Sequence, residues 1–168
     1  MVCQPVTCNS TAKQHDHQKN LQVLRSHRNE QLADKCRNLH GHRYGLECFF
    51  DVERDGALST LFGDFDAKVE PLIKDVYDHC FIVHRNDTFF QTMKYHQEQT
   101  GENLRMKILE FPSTVENIAF QLFSEITELG FRLNRIELRE TDTSVIEYSR
   151  EDWVSDCRRD LQNQETTS

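Results

Sequence analysis

The stretch that decides the fold runs from Cys36 to Glu53 and reads CRNLHGHRYGLECFFDVE. From His40 onward its apolar residues occupy every second position, which is the period of a half-buried β-strand. Successive side chains of a strand point to opposite faces, so His40 and His42 share the face of the apolar residues. Two imidazoles on an apolar face need hydrogen bonds or a metal ion to compensate for their burial. The stretch therefore predicts a strand over 40–53 and a candidate metal site at its start.

The spacing of these two histidines does not by itself identify a metal site. A second His-x-His occurs at His15 and His17, where no strand pattern surrounds it. We interpret this polar region, residues 1–19, as a flexible N-terminal arm. The later pair differs because it begins an apolar strand face and has a cysteine, Cys36, four residues before it. Of the six cysteines, only Cys36 lies beside the pair His40 and His42, so it is the candidate for chemistry.

Composition narrows the class of protein and of partner. The net charge is −8, and the lysines and arginines are scattered and outnumbered, which argues against nucleic acid as a partner. No apolar run reaches 18 residues, so we expect no membrane span. The sequence has neither a recognisable secretion signal nor a Cys-x-x-Cys motif, which favours reduced thiols in the cytoplasm.

Apolar periodicity elsewhere predicts two helices and three further strands. One helix begins at Asp64 and ends near residues 78–79, and the second has Ser113 as its N-cap and ends at Gly130. Period-two alternation places the strands at 21–27, 135–141 and 145–148. Strand hairpins with segregated helices predict an α+β fold, a four-stranded antiparallel sheet with two helices on one face. The two exposed edges of such a sheet favour assembly of copies that joins them.

The pattern also divides the chain into a domain and its flanks. The domain spans 20–149 and is followed by a polar C-terminal tail at 150–168. Within the domain, residues 84–107 form a polar insertion that is either a lid over a pocket or a decoration. On the third strand, Glu140 shares the face of two apolar residues, where an unpaired carboxylate is costly. We therefore expect Glu140 to meet a cationic side chain or a ligand.

These motifs, taken in order, resemble the 6-pyruvoyltetrahydropterin synthase and 6-carboxytetrahydropterin synthase family over residues 20–149. The chain departs from the family where Val23-Leu24-Arg25-Ser26 precedes His27, since relatives often have Phe and two small residues there. The motifs that carry the resemblance are His27-Arg28, Cys36-x-x-x-His40-Gly41-His42-x-Tyr44, Asp64-Phe65, Asp78-His79, Thr114-Val115-Glu116-Asn117 and Glu140-Thr141.

The resemblance implies a tunnelling fold (T-fold), in which trimers of four-stranded subunits close a barrel between subunits. Two trimers stack, so the implied assembly is a homohexamer with active sites between chains. It also implies a zinc ion (Zn2+) held by three histidines with one position open to substrate, and a set of residues around it. The zinc ligands are His27, His40 and His42, the base is Cys36, its acid/base partners are Asp78 and His79, and the pterin site is Glu140 with Thr141.

Within this family the resemblance favours one activity over another. The compact spacing between Cys36 and His40 is more like the branch that makes 6-carboxy-5,6,7,8-tetrahydropterin. That branch is a zinc-dependent lyase, which acts on 7,8-dihydroneopterin triphosphate and releases acetaldehyde and triphosphate, towards queuosine and other 7-deazapurines. The alternatives are the 6-pyruvoyltetrahydropterin synthase reaction of the tetrahydrobiopterin pathway, a related pterin activity, and a non-catalytic zinc- or pterin-binding protein. Arginines and lysines near the central motif are candidates for the triphosphate, namely Arg28, Lys35, Arg37 and Arg43.

Overall fold

The structure is a computed structural model that describes residues 15–32, 34–52 and 61–165, with side chains described for 20–32, 35–51 and 62–159. No helix in these ranges combines the length and the apolar character needed to cross a bilayer. The elements are β1 (His15–His27), a 3₁₀ turn (Asp34–Arg37), β2 (His40–Val52), α1 (Leu61–Leu72) with a π-helical extension (Ile73–Tyr77), β3 (Cys80–His84), α2 (Thr88–Thr100), β4 (Met106–Leu109), α3 (Val115–Glu128), β5 (Leu133–Arg139), β6 (Val145–Ser149) and α4 (Arg150–Glu165).

The described strands form one mixed sheet in the order β4-β3-β1-β2-β5-β6. The pairs β1–β2, β2–β5 and β5–β6 are antiparallel, as predicted. The pairs β1–β3 and β3–β4 are parallel, so the prediction of a four-stranded antiparallel sheet is wrong in strand number and direction. The two additional strands have only five and four residues, too few for a period to stand out in the sequence. The α+β class itself is confirmed.

The described residues contain four α-helices where two were predicted, because the insertion and the tail each contain one. The insertion forms α2, whose first turn is capped where Asp87 accepts a hydrogen bond from the amide of Phe89. The tail forms α4, which Trp153 attaches to α3. The indole of Trp153 donates to the hydroxyl of Ser124 at 2.9 Å and stacks on the ring of Phe123.

The start of β1 and the N-cap of α3 differ from their predicted positions. β1 begins at His15, so residues 15–19 of the predicted arm pair with the end of β2, while residues 1–14 lie outside the described chain. The N-cap of α3 is Thr114, whose hydroxyl accepts from the amide of Asn117. Ser113 instead donates its hydroxyl hydrogen to the carbonyl of Arg28 at 2.7 Å. Thr114 caps because its extended backbone directs its side chain at the first turn.

Helices α1, α3 and α4 cover one face of the sheet and bury its apolar residues. On β2 the residues Tyr44, Leu46, Cys48 and Phe50 are all at most 1 % exposed. Phe65 of α1 packs edge-on against Phe50 with ring centroids 5.4 Å apart. This face is the one that carries the two histidines of β2, so the core continues directly into the candidate site.

Candidate metal centre

The β1–β2 hairpin brings three imidazoles together. His27 ends β1, His40 begins β2, and the register pairs these two residues directly. His42 follows on the same face of β2. One ligand nitrogen from each ring can be chosen so that all three lie within 4.8 Å of one another. The structure therefore unites the three predicted ligands into a cluster that can hold a metal ion.

Backbone carbonyls fix which nitrogen two of these rings offer. Nδ1 of His27 donates to the carbonyl of Ser113 at 2.9 Å, and Nδ1 of His40 donates to the carbonyl of Asn38 at 2.8 Å. A carbonyl can only accept, so each Nδ1 carries the hydrogen and each neutral ring keeps a lone pair on Nε2. Metal-binding histidines are oriented in this way in proteins generally. A set of three neutral imidazoles with an open side fits a zinc ion.

The electrostatics favour the neutral form of two of the three rings. Burial lowers the pKa of His27 below its ordinary value, the Ser113 carbonyl opposes this effect, and the neighbouring histidines add to it. Burial also lowers the pKa of His42, although the carboxylate of Glu140 works against it. The unprotonated imidazole is the form that binds a metal, so these two rings are ready ligands at neutral pH.

Glu140 lies against this cluster, directly after β5. Its Oε1 accepts the hydroxyl hydrogen of Tyr44 at 2.7 Å, and it lies 3.4 Å from Nε2 of His27 and 4.0 Å from Nε2 of His42. In the described part of the chain the Tyr44 hydroxyl donates a hydrogen bond to this carboxylate, and the cationic side chain or ligand expected for it stays a prediction. Tyr44 is the residue of this group for which sequence reasoning assigned no role, although it follows His42 by two positions on the same face.

The turn after β5 holds Glu140 in place. The amide of Glu140 donates to the carbonyl of Ser144 at 2.9 Å, and the amide of Ser144 donates to the hydroxyl of Thr141 at 3.1 Å. The hydroxyl of Thr141 therefore supports the turn. Its contact with a substrate stays a prediction.

Cys36 lies in the 3₁₀ turn between β1 and β2 and is half-buried. Its carbonyl accepts the amide hydrogen of Asn29 at 2.9 Å, which closes the loop that leads to His40. Among the described residues, the metal-binding cluster contains the three histidines and does not include Cys36. The role of Cys36 as a base stays a prediction.

Asp78 and His79 form a fixed pair between the π-helical turn and β3. Oδ1 of Asp78 accepts the amide hydrogen of Leu24 at 2.9 Å, and its Oδ2 lies 2.8 Å from Nδ1 of His79. Burial raises the pKa of Asp78, but these hydrogen bonds outweigh it and the net shift is downward. His79 has a φ of 54°, which is strained for a residue with a Cβ and is held here by the bond from its amide to Leu24.

In the described part of the chain, no hydrogen bond or ion pair joins the Asp78–His79 pair to the histidine cluster. His79 lines a groove of about 720 Å³, together with Leu24, Ser26, His42 and residues of α2 such as Met93. Leu24 and Ser26 occupy the face of β1 opposite to that of His27, because side chains alternate along a strand. Of the cluster, a single chain therefore brings only His42 to the groove that His79 lines.

The amino-acid sequence is similar to those of several known proteins. The family model described as 6-pyruvoyl tetrahydropterin synthase matches residues 14–151. The 6-carboxy-5,6,7,8-tetrahydropterin synthase of Haemophilus influenzae is 32% identical over 121 residues, which are 68% of this chain and 84% of that protein. The protein of the same description from Aquifex aeolicus is 31% identical over 134 residues, 73% of this chain and 80% of that protein.

Solved structures show the same architecture. An uncharacterized protein from Wolinella succinogenes superposes with a TM-score of 0.67 and 21% identity, over 83% of this chain and 99% of that chain. The 6-pyruvoyl tetrahydropterin synthase of Caenorhabditis elegans superposes with a TM-score of 0.57 and 18% identity, over 82% of this chain and 96% of that chain. At these identities the likeness concerns the fold, and it confirms the predicted T-fold of the subunit.

Proposed function

Because the chain belongs to the 6-pyruvoyl tetrahydropterin synthase family, we propose that it is a 6-carboxy-5,6,7,8-tetrahydropterin synthase. The two bacterial relatives of that name, at 32% and 31% identity, support this choice of activity. The observation that carries it is the contact of Glu140 with two rings of the histidine cluster, at 3.4 Å and 4.0 Å. This contact puts an acceptor for a pterin ring beside a place for a metal ion.

Glu140 anchors the pterin in this proposal. The 2-amino group and the adjacent ring N–H of a pterin form a pair of parallel donors, which a carboxylate accepts as it accepts an arginine. The Tyr44 hydroxyl holds Oε1 at 2.7 Å, so the carboxylate is oriented before the ligand arrives. Burial raises the pKa of Tyr44, which keeps its hydroxyl protonated as a donor.

His27, His40 and His42 would hold the zinc ion, which would supply a Lewis acid for the hydroxyl groups of the substrate side chain. The Sγ of Cys36 takes a proton from that side chain. His79, with its Nδ1 held by Asp78, returns a proton from its other ring nitrogen, Nε2.

The reaction divides the three-carbon side chain of 7,8-dihydroneopterin triphosphate. One carbon stays on the ring as the carboxylate, the other two leave as acetaldehyde, and the triphosphate leaves with them. Water supplies the oxygen. The carbons of the side chain lose two electrons overall, and the ring gains them as it passes from the dihydro to the tetrahydro state, so no external reductant is needed. We place the product in the biosynthesis of queuosine and other 7-deazapurines, and the enzyme in the cytoplasm.

The enzyme acts as a homohexamer in this proposal, a dimer of trimers. Its support is that, among the described residues, no hydrogen bond or ion pair within one chain joins the histidine cluster to the Asp78–His79 pair. Contact between subunits would let His79 of one chain serve the cluster of another. It would also cover the exposed Leu24 and Leu39, which are 49 % and 52 % exposed beside the groove.

The experiment is incubation of the zinc-loaded protein with 7,8-dihydroneopterin triphosphate, with the pterin product identified by mass spectrometry. The proposal expects 6-carboxytetrahydropterin from the wild type and at least a hundredfold lower rate from Cys36→Ala, since loss of a general base costs about 10²–10⁴ in rate. Arg85→Met, which alters an exposed ion pair with Glu110, serves as the control with wild-type rate.

A second candidate is the 6-pyruvoyltetrahydropterin synthase reaction, which the name of the matching family model favours. A pyruvoyl product in the same incubation would establish it. If the protein binds zinc and pterin but forms neither product, it is the non-catalytic binding protein.

A further inference from the structure

A buried arginine lies directly beneath the candidate site. Arg25 occupies the apolar face of β1, two residues before His27, and is only 4% exposed. The register places it between His42 of β2 and Cys80 of β3. Arginine is almost never fully buried unless it is paired, so this position calls for an explanation.

Arg25 has no direct counter-charge among the described residues. Its Nε and Nη1 are buried and donate no hydrogen bond there. The guanidinium carbon instead lies 3.7 Å from the centroid of the Tyr44 ring and 5.8 Å from that of Tyr77. A guanidinium stacked on an aromatic face is attracted by the electron density of the ring, and the attraction strengthens where water is excluded.

Tyr44 connects this cation to the anchor. Its hydroxyl donates to Oε1 of Glu140 at 2.7 Å and lies 3.5 Å from Nε2 of His27. The rings of His27 and His42 contact Tyr44 edge-on, with centroids 6.1 Å and 5.8 Å away. The guanidinium packs on the face of the Tyr44 ring and the two histidine rings contact it edge-on, so the ring, and with it the hydroxyl at its end, is confined between them.

We propose that Arg25 is a positioning residue, which fixes the Tyr44 ring so that its hydroxyl occupies one lone pair of Glu140 Oε1 and leaves Oε2 and the other lone pair of Oε1 for the two donors of the ligand. This inference rests on the proposed function, because it takes Glu140 as the pterin anchor. In the described residues all polar contacts of the Glu140 side chain are made through Oε1, as the inference requires. A purely structural role would make Arg25 a filler of the core with no effect on the ligand.

The experiment measures neopterin binding to zinc-loaded variants by fluorescence. Neopterin has the pterin ring and the three-carbon side chain without phosphate, so it isolates the anchor. The variants are Arg25→Met, which keeps the volume of the side chain, Arg25→Lys, Tyr44→Phe and the double variant Arg25→Met/Tyr44→Phe, with Arg85→Met as the control. For each variant we also measure the zinc content, the thermal midpoint of unfolding, and KM and kcat separately.

The inference expects Arg25→Met to retain full zinc and to bind neopterin about tenfold more weakly, a change of about 1.4 kcal/mol. Tyr44→Phe weakens neopterin binding by a similar factor. The double variant binds neopterin at most about twentyfold more weakly than the wild type, because the effects of two residues that act through one contact are not additive. Arg25→Lys, which keeps the charge but lacks the planar face, recovers part of the affinity. KM rises more than kcat falls, since the anchor acts in binding.

Three results would overturn the inference. The first is neopterin affinity within twofold of wild type in Arg25→Met, and the second is an additive loss of about a hundredfold in the double variant. The third applies if Arg25→Met does not fold, in which case Arg25→Lys replaces it in the test. Unchanged neopterin affinity in Arg25→Lys would then overturn the inference. If the wild type itself binds no neopterin, the proposed function fails and the role of Arg25 fails with it. Binding by the wild type with unchanged variants removes the role of Arg25 alone.

Discussion

Oε1 of Glu140 lies 3.4 Å from Nε2 of His27, although Glu140 follows β5 and His27 ends β1. Strand β2 lies between these two strands in the sheet and brings them to one place. The distance is short enough for Glu140 to act on whatever the histidines hold. At this distance the carboxylate has an alternative role as a metal ligand. The zinc content of Glu140→Gln distinguishes the two roles.

We expect Glu140→Gln to retain zinc and to bind neopterin about 10- to 100-fold more weakly, because hydrogen bonds to a charged group contribute about 1.5–3 kcal/mol. The measurements are elemental analysis for zinc and fluorescence titration for neopterin. The matched control is Glu147→Gln on β6, which removes a carboxylate that is 63% exposed. Loss of zinc from Glu140→Gln would make the residue a metal ligand and contradict the anchor role.

The paired change His40→Ala/His42→Ala should abolish stoichiometric zinc binding, because a single imidazole remains and a catalytic zinc needs three protein ligands. Dialysed protein is assayed for zinc by elemental analysis. His96→Ala is the control, since that exposed histidine on α2 pairs with Glu102. A double variant that keeps stoichiometric zinc would refute the assignment of the cluster.

The sequence predicted the centre of the site better than its surroundings. The alternation after His40 was enough to place two histidines on a buried face, and the motif order supplied His27 from the neighbouring strand. The register of the β1–β2 hairpin pairs His27 with His40, so the pairing of two neighbouring strands is enough to form the cluster. Local patterns predict such geometry well because a strand has a fixed period.

The interactions that orient the cluster could not be predicted in this way. The carbonyl that orients His27 belongs to Ser113, which precedes α3 and is far away in sequence. Tyr44 and Arg25 have the pattern of core positions on their strands, and only the packed structure shows that one stacks on the other. β3 and β4 were missed because parallel pairing depends on distant segments.

The stability of the metal-free protein should fall as the pH falls from about 7 to about 5, the range in which histidines titrate. The folded protein holds the pKa of His27 and His42 below the value of 6.5 that the unfolded chain has. In this window the unfolded chain binds protons that the folded chain does not, so the free energy of unfolding decreases with falling pH. Urea unfolding at several pH values measures the slope.

The variant His27→Gln/His42→Gln provides the comparison for that slope. Because it removes both groups, its free energy of unfolding should depend less on pH in the same window. Equal slopes in the variant and the wild type would show that the two histidines are not the groups responsible.

Mixed oligomers should recover activity if the active site combines residues of two chains. Protein with His79→Ala lacks the acid/base group, and protein with His40→Ala lacks a zinc ligand, so each alone should be inactive. Oligomers refolded from a mixture contain some sites in which both groups are intact. Recovered turnover supports the arrangement, and its absence from verified mixed oligomers would place the whole site in one chain.

The most direct test of the proposed activity is the molar ratio of acetaldehyde to triphosphate released from 7,8-dihydroneopterin triphosphate by the zinc-loaded wild type. Both products are quantified in the same reaction with coupled enzymes. If Glu140 anchors the pterin at the histidine cluster and the side chain is cleaved there, the two are released in equal amounts. Release of triphosphate without acetaldehyde would contradict the 6-carboxytetrahydropterin synthase assignment and favour the pyruvoyl product.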